Sequence, residues 1–142
     1  MPLTLAERQE FLTQPHTATI SVQALRTGRG PLAVPIWYDV DAEGRPWILT
    51  DAGSVKARHI EAAGSFTLTA HQLTPSVRYV SVEGPVQASR AAADADLVGM
   101  TERYLTGDAV AAYLDFARPG LSTLQVITME PQHWLSGDLG SW

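Results

Sequence analysis

The stretch Leu32-Ala33-Val34-Pro35-Ile36-Trp37-Tyr38-Asp39-Val40-Asp41-Ala42-Glu43-Gly44-Arg45-Pro46-Trp47-Ile48-Leu49-Thr50 decides how this chain is read. Leu32, Val34, Ile36, Tyr38 and Val40 alternate with Ala33, Pro35, Trp37 and Asp39, and a period of two gives a strand one apolar and one mixed face. Asp41-Ala42-Glu43-Gly44 supplies the residues of a hairpin loop, and Arg45 to Thr50 is the returning strand. Proline donates nothing to a strand ladder, so Pro35 marks an edge, a bulge or a boundary against a ligand. Backbone groups there are free to meet the polar edge of a flat ring, with Trp37 packed beside it. An edge proline with a tryptophan packed on a helix or a second subunit accounts for the same residues.

Working outward, His16 to Leu25 is rich in Thr, Ile and Val and predicts a strand before the turn Thr27-Gly28-Arg29-Gly30. Ser65 to Gln72 is another strand, and Val77 to Ala88 a long one with a bulge or bend at Gly84-Pro85. Leu121 to Glu130 is the last, and Pro131 to Trp142 reads as loop. Thr4 and Glu7 form a capping pair for a short first helix. Leu97, Met100, Thr101, Tyr104 and Leu105 fall on one helical face within Asp94 to Leu105, and Asp108 caps a further helix through Phe116. Six strands with hairpin connections and peripheral helices predict an α+β, mainly β, antiparallel barrel, with residues 1–142 as one domain.

After the hairpin comes Thr50-Asp51-Ala52-Gly53-Ser54-Val55-Lys56-Ala57-Arg58. Ser54 caps a helix running to Ala63 and stopped by Gly64. Lys56, the only lysine, and Arg58 fall in or near its first turn, where the helix dipole is already positive. Two readings fit: a phosphate cradle, in which an anion lies between those cations and the free amides, or a solvated helix start with two surface cations.

Composition narrows the class. A net charge of −5 with no basic run argues against general nucleic-acid binding. No apolar stretch is long enough to span a membrane, and Met1 to Glu10 lacks a secretory pattern. The absence of cysteine excludes disulfides and thiolate chemistry and suits a cytoplasmic protein. The four histidines, His16, His59, His71 and His133, have no metal-ligand spacing, so no metal is expected. No serine-hydrolase elbow or nucleotide-binding glycine motif is present.

P-I-W-Y, a hairpin, T-x-x-G-S-x-K-A and then R-Y-V-x-V-x-G (Arg78 to Gly84), in that order, resemble the flavin-binding split-barrel family, the pyridoxamine-5'-phosphate-oxidase-like proteins, over about Ala6 to Trp134. The resemblance implies a split antiparallel barrel that forms a homodimer with two equivalent cofactor sites at the subunit interface. It implies that Thr50 and Lys56 hold the cofactor phosphate, and that Ser54 contributes its hydroxyl or the amides it caps. Val55 replaces an arginine common in the family, leaving Arg58 to supply a second charge. Val34, Pro35, Ile36 and Trp37 would lie along the isoalloxazine ring. Tyr79 stands where the vitamin B6 oxidases carry a glutamine that touches the cofactor from the partner chain, and it is a candidate proton donor.

The arginine and histidine signature that grips pyridoxal phosphate is missing from the C-terminal residues, so pyridoxamine phosphate oxidase activity itself is not expected. These departures are similar to the actinobacterial branch that uses the deazaflavin coenzyme F420 in place of FMN. F420 shares the ribityl phosphate and adds an oligoglutamate tail, for which Arg26 and Arg29 are candidate partners. The activity this implies is hydride transfer between reduced F420 and a conjugated organic substrate. An FMN-dependent oxidoreductase is the second reading, and a non-catalytic carrier of flavin, haem or a lipid-like ligand the third. Trp37, Tyr79 and Trp142 are the expected aromatic walls of a substrate pocket.

Overall fold

In the computed structural model, which describes residues 1–142, the chain runs α1 (Leu5–Thr13), β1 (Thr17–Val22), β2 (Leu32–Ile36), β3 (Tyr38–Val40), β4 (Pro46–Asp51), α2 (Val55–Ala63), β5 (Ser65–Gln72), β6 (Arg78–Ala91), α3 (Asp94–Tyr104), α4 (Asp108–Ala117), a 3-10 segment (Arg118–Thr123), β7 (Leu124–Met129) and β8 (His133–Asp138). All strand pairs are antiparallel, in the order β2-β1-β5-β6-β7-β4-β3, with β8 also on β6. This α+β half-barrel has eight strands rather than the six expected.

Two local effects make the difference. The alternating stretch from Leu32 to Val40 divides at Trp37 because β2 pairs with β1 whereas β3 pairs with β4. Its apolar period survives the division: Leu32, Val34, Ile36, Tyr38 and Val40 all pack on or in the core, and Ala33 and Pro35 are exposed. Residues His133–Asp138, within the stretch Pro131 to Trp142 read as loop, are a strand because β6 offers them a partner. Pairing and burial decide strand formation more than intrinsic preference does.

β7 and β8 run in series along one edge of β6, interrupted at residues 130–132. At the interruption the Glu130 N–H donates to Pro85 O at 2.9 Å and the Gln132 N–H to Glu83 O at 2.9 Å. A Cβ on Gly84 would lie 1.8 Å from the carbonyl oxygen of Glu130, so this close approach requires glycine. The expected irregularity in β6 falls slightly later, as a register shift between Val86 and Ala88. That shift follows directly on the change of partner, which falls between Glu83, the last β6 residue paired with β8, and Val86, the first paired with β7.

The inner face packs a single core that includes Ile20, Tyr38, Ile48, Leu68, Val80, Val82 and Met129, all with no accessible surface. Burying each such side chain contributes about 1.5–3 kcal/mol before entropy is counted. On the outer face the register aligns Pro35, Thr19, Thr69, Ser81 and Leu135 in one row across β2, β1, β5, β6 and β8. The next row aligns Thr17, His71, Tyr79 and Gly137. No helix is long and apolar enough to cross a membrane.

The helix ends follow the sequence. Thr4 and Glu7 form a complete capping box. Ser54 Oγ accepts from Ala57 N–H at 3.1 Å, and Gly64 closes α2 in the left-handed conformation with φ 72°. Gly107, not Asp108, is the N-cap of α4; Asp108 is the first helical residue, where its charge opposes the positive end of the dipole.

Candidate functional site

β4 ends at Asp51, and the turn through Gly53 delivers the chain into α2. Thr50 and Ser54, at either side of that turn, share a hydrogen bond between their hydroxyls at 2.9 Å. Helix geometry leaves the amides of Val55 and Lys56 without intrahelical acceptors. Arg58 Nη1 donates to Gly53 O at 3.2 Å and folds back over the same turn.

The cations of the chain divide into two sets. Arg45, Arg78, Arg90, Arg103 and Arg118 pair with carboxylates, and Arg8 lies over the Trp134 ring. The other four, Arg26, Arg29, Lys56 and Arg58, have no carboxylate within ion-pair distance. All four belong to the β1–β2 connection or to α2. A recess of about 340 Å³ joins these two elements, with Arg26 and Arg29 on one side and Val55 and His59 on the other. Its wall carries no acidic residue. Arg26 and Arg29 line the recess itself, whereas Lys56 and Arg58 stand in the first turn of α2 outside its wall, beside the free amides and the Ser54 hydroxyl; Thr50 is buried. Unneutralised cations on two adjoining elements suit an anion of more than one charge.

A larger cavity, about 780 Å³, takes Leu49 and Asp51 of β4 into its wall. Pro35, Ile36 and Trp37 line it from the sheet, and Tyr104, Tyr113 and Phe116 from α3 and α4. Trp37 stacks on Tyr104 with centroids 5.0 Å apart and an interplanar angle of 3°, and Tyr113 meets Trp37 at 5.0 Å and 45°. Phe116 is 81% exposed at the rim. The Tyr104 hydroxyl is already committed, donating to His16 O at 2.9 Å, and burial raises its pKa. It is a wall and not a proton source. Asp51 is the sole charged residue lining this cavity. Thr123 Oγ1 donates to its carboxylate at 2.6 Å and Gly53 N–H at 2.8 Å, and both bonds hold the carboxyl below its ordinary range.

The structure thus groups Thr50, Ser54, Lys56 and Arg58 at one corner, and Pro35, Ile36 and Trp37 at the cavity. The Val34 side chain packs against the core, so only its backbone faces outward. Tyr79 joins neither group. It shares the outer face with Pro35, but three strand intervals separate β6 from β2, about 14 Å. Its ring rests on Gly137, where a Cβ would come within 2.8 Å of it. Trp142 lines no wall of the cavity; its indole N–H donates to Leu139 O, and the side chain is fully exposed. Sequence reading missed Asp51, Tyr104, Tyr113 and Phe116 as cavity residues. Tyr113 and Phe116, three apart on α4, carried a signal: two aromatics on one helix face with no core strand assigned to receive them.

A curled antiparallel half-barrel with a cationic helix corner beside its first hairpin defines the class of α+β protein to which this chain is assigned. Within it, the pyridoxamine 5'-phosphate oxidase family model matches residues 4–136, and the chain belongs to that family. Among curated proteins, none matches it in sequence. A conserved hypothetical protein from Mycobacterium tuberculosis superposes with a TM-score of 0.73 at 22% identity, over 96% of this chain and 85% of that one. A protein described as an F420 reductase gives 0.68 at 18%, over 89% and 94%. The FAD-binding protein of Mycobacterium smegmatis gives 0.60 at 14%, over 98% and 99%. At such identities these likenesses establish the fold.

Proposed function

We propose that this protein is a homodimeric, F420-dependent oxidoreductase that passes hydride to a conjugated organic acceptor. The observation that carries the reading is that Arg26 and Arg29 in the β1–β2 connection and Lys56 and Arg58 in α2, none paired with a carboxylate, stand on the two elements that border one recess. Thr50, Ser54 and Lys56 suit a ribityl phosphate, which FMN and F420 share. Arg26 and Arg29 stand across the recess from Val55 and His59 of α2 and suit a polyanionic tail, which only F420 has. An F420 reductase and FAD-binding proteins among the structural relatives agree with a flavin-type cofactor.

When bound, the coenzyme supplies the hydride. The chain's own residues hold the phosphate at the α2 corner, offer the β2 backbone to the ring edge and wall off water with Trp37, Tyr104 and Tyr113. A second copy is part of the proposal, because Tyr79 is too far from Pro35 within one chain to act at the same ring. Packing the outer faces of two sheets brings the partner's Tyr79 toward it.

Titration with F420 and with FMN, followed by coenzyme fluorescence, tests the reading. F420 is expected to bind more tightly, and Lys56→Ala to weaken both by about 1.5–3 kcal/mol, the scale of a hydrogen bond to a charged group. Unchanged affinities in the variant would remove the cradle. An FMN preference would replace the coenzyme, and binding without hydride transfer to any quinone, enone or tetrapyrrole acceptor would make the protein a carrier.

A further inference from the structure

The turn from Asp51 to Lys56 contributes to two recesses of opposite character, Asp51 to one wall and Val55 to the other. The recess of Val55 is that of Arg26 and Arg29, with no acid on its wall. The recess of Asp51 is the aromatic cavity, with Asp51 as its sole charge and no cation. We infer that Asp51 sets a charge rule for the aromatic cavity: it accepts planar conjugated rings that are neutral or cationic and turns away those bearing a carboxylate, sulfonate or phosphate.

Three observations support this. The walls are flat and apolar: Trp37, Tyr104 and Tyr113 present ring faces or edges, and Leu97, Met100 and Leu124 complete the lining. A planar ring gains stacking there, and a cationic one gains attraction to the ring faces as well. Of the four hydroxyls on the wall two are spent, Thr101 Oγ1 on Leu97 O and that of Tyr104 on His16 O, which leaves only those of Thr17 and Tyr113 to an incoming ligand. Finally, Asp51 is fixed. Thr123 and Gly53 each hold one carboxylate oxygen, so the charge can neither swing away nor readily take up a proton near neutral pH. An incoming anion meets that charge with no cation on the wall to offset it, and loses hydration on entering.

The consequence is a division of labour within one turn. Anionic groups are drawn to the α2 side and repelled from the aromatic cavity, so the coenzyme's phosphate and anionic tail do not compete with an acceptor for that cavity. It also opposes entry of a phosphorylated pyridoxine compound into this cavity. That the entering ring is a hydride acceptor rests on the function proposed above; the charge rule does not.

Equilibrium dialysis of the protein without coenzyme, at low salt and pH 7.5, against 2-naphthalenemethanol, 2-naphthylmethylamine and 2-naphthoate tests the rule on one ring with three charges. The alcohol and the ammonium are expected to bind, and the carboxylate about tenfold more weakly than the alcohol. Asp51→Asn should bring the carboxylate to within about twofold of the alcohol and leave the alcohol unchanged. Should that variant fail to fold, raising the salt on the wild type should narrow the same gap, because charge repulsion is screened. Equal binding of acid and alcohol by the wild type overturns the inference, and so does a gap that persists through both the substitution and the salt. Failure to bind F420 in a separate titration would remove the redox reading and leave this result standing.

Discussion

Arg26 and Arg29 are the side chains whose role distinguishes one coenzyme from the other. Both stand in the β1–β2 connection, and neither is engaged by a carboxylate of its own chain. If they meet an oligoglutamate tail, replacing both by glutamine weakens F420 binding by about 1 kcal/mol, in keeping with solvent-exposed pairs. FMN, which ends at the phosphate, should bind the double variant as it binds the wild type. Parallel fluorescence titrations at two salt concentrations give the comparison. His16 makes a different demand. It is buried, its Nε2 has no partner, and it stacks on Phe11 with centroids 3.8 Å apart. Burial is the main cause of its lowered pKa; the Phe11 carbonyl opposes this, and Arg103 and His71 add to it. The unfolded chain therefore takes up the proton first, at the ordinary histidine value near 6.5. Stability is full above that pH and falls as the pH drops below it. Urea unfolding of the wild type between pH 7.5 and 5 should show the decline, and His16→Phe should flatten it. The carboxyls of Asp51, Asp94, Asp96 and Asp138, all lowered by hydrogen bonds, begin to contribute only at lower pH.

Among the elements, β6 carries the greatest structural load, pairing with β5 on one edge and with β8 then β7 on the other. Gly84 marks the change of partner. Because the group opposing a Cβ there is backbone, it cannot turn aside, and Gly84→Ala is expected to cost about 3 kcal/mol or more. A drop in the urea midpoint measures it, and a shift under 1 kcal/mol would mean that Glu130 moves. Gly84 also illustrates what could be read beforehand. Its glycine and proline signalled an irregularity in the strand, but only the position of residues 130–132 explains the need for glycine. Hairpins, caps and the α2 corner were legible because each depends on neighbours in sequence: Ser54 and Ala57, Thr4 and Glu7, the loop from Asp41 to Gly44. β8 and the aromatic cavity were not. The first exists because β6, some fifty residues earlier, offers an edge; the second because Trp37 meets Tyr104 and Tyr113 across more than sixty residues.

For the whole molecule, the outer sheet face is the decisive surface. Its central row of Thr19, Thr69 and Ser81 consists of short, half-buried side chains, with a hydrogen bond between Thr69 and Ser81 at 3.0 Å. A row of small hydroxyl residues flanked by Pro35, Tyr79 and Leu135 suits close packing on the second copy proposed above. The proposed homodimer should appear by sedimentation equilibrium. Thr69→Arg, which places a charge at the centre of that face, should yield monomer and abolish coenzyme binding without unfolding the chain. A monomeric wild type that binds coenzyme would separate Tyr79 from the site altogether.

The serial arrangement of β7 and β8 along β6 also bears on biosynthesis. A nascent chain on the ribosome completes β6 long before residues 133–138 emerge to cover its edge. Through that interval the donors and acceptors of residues 78–83 are open on one side, a template for pairing with another chain. The same segment that finishes the native sheet therefore acts during translation as a late guard against misassembly, and variants that delay or lose it should need chaperone protection to reach the folded state.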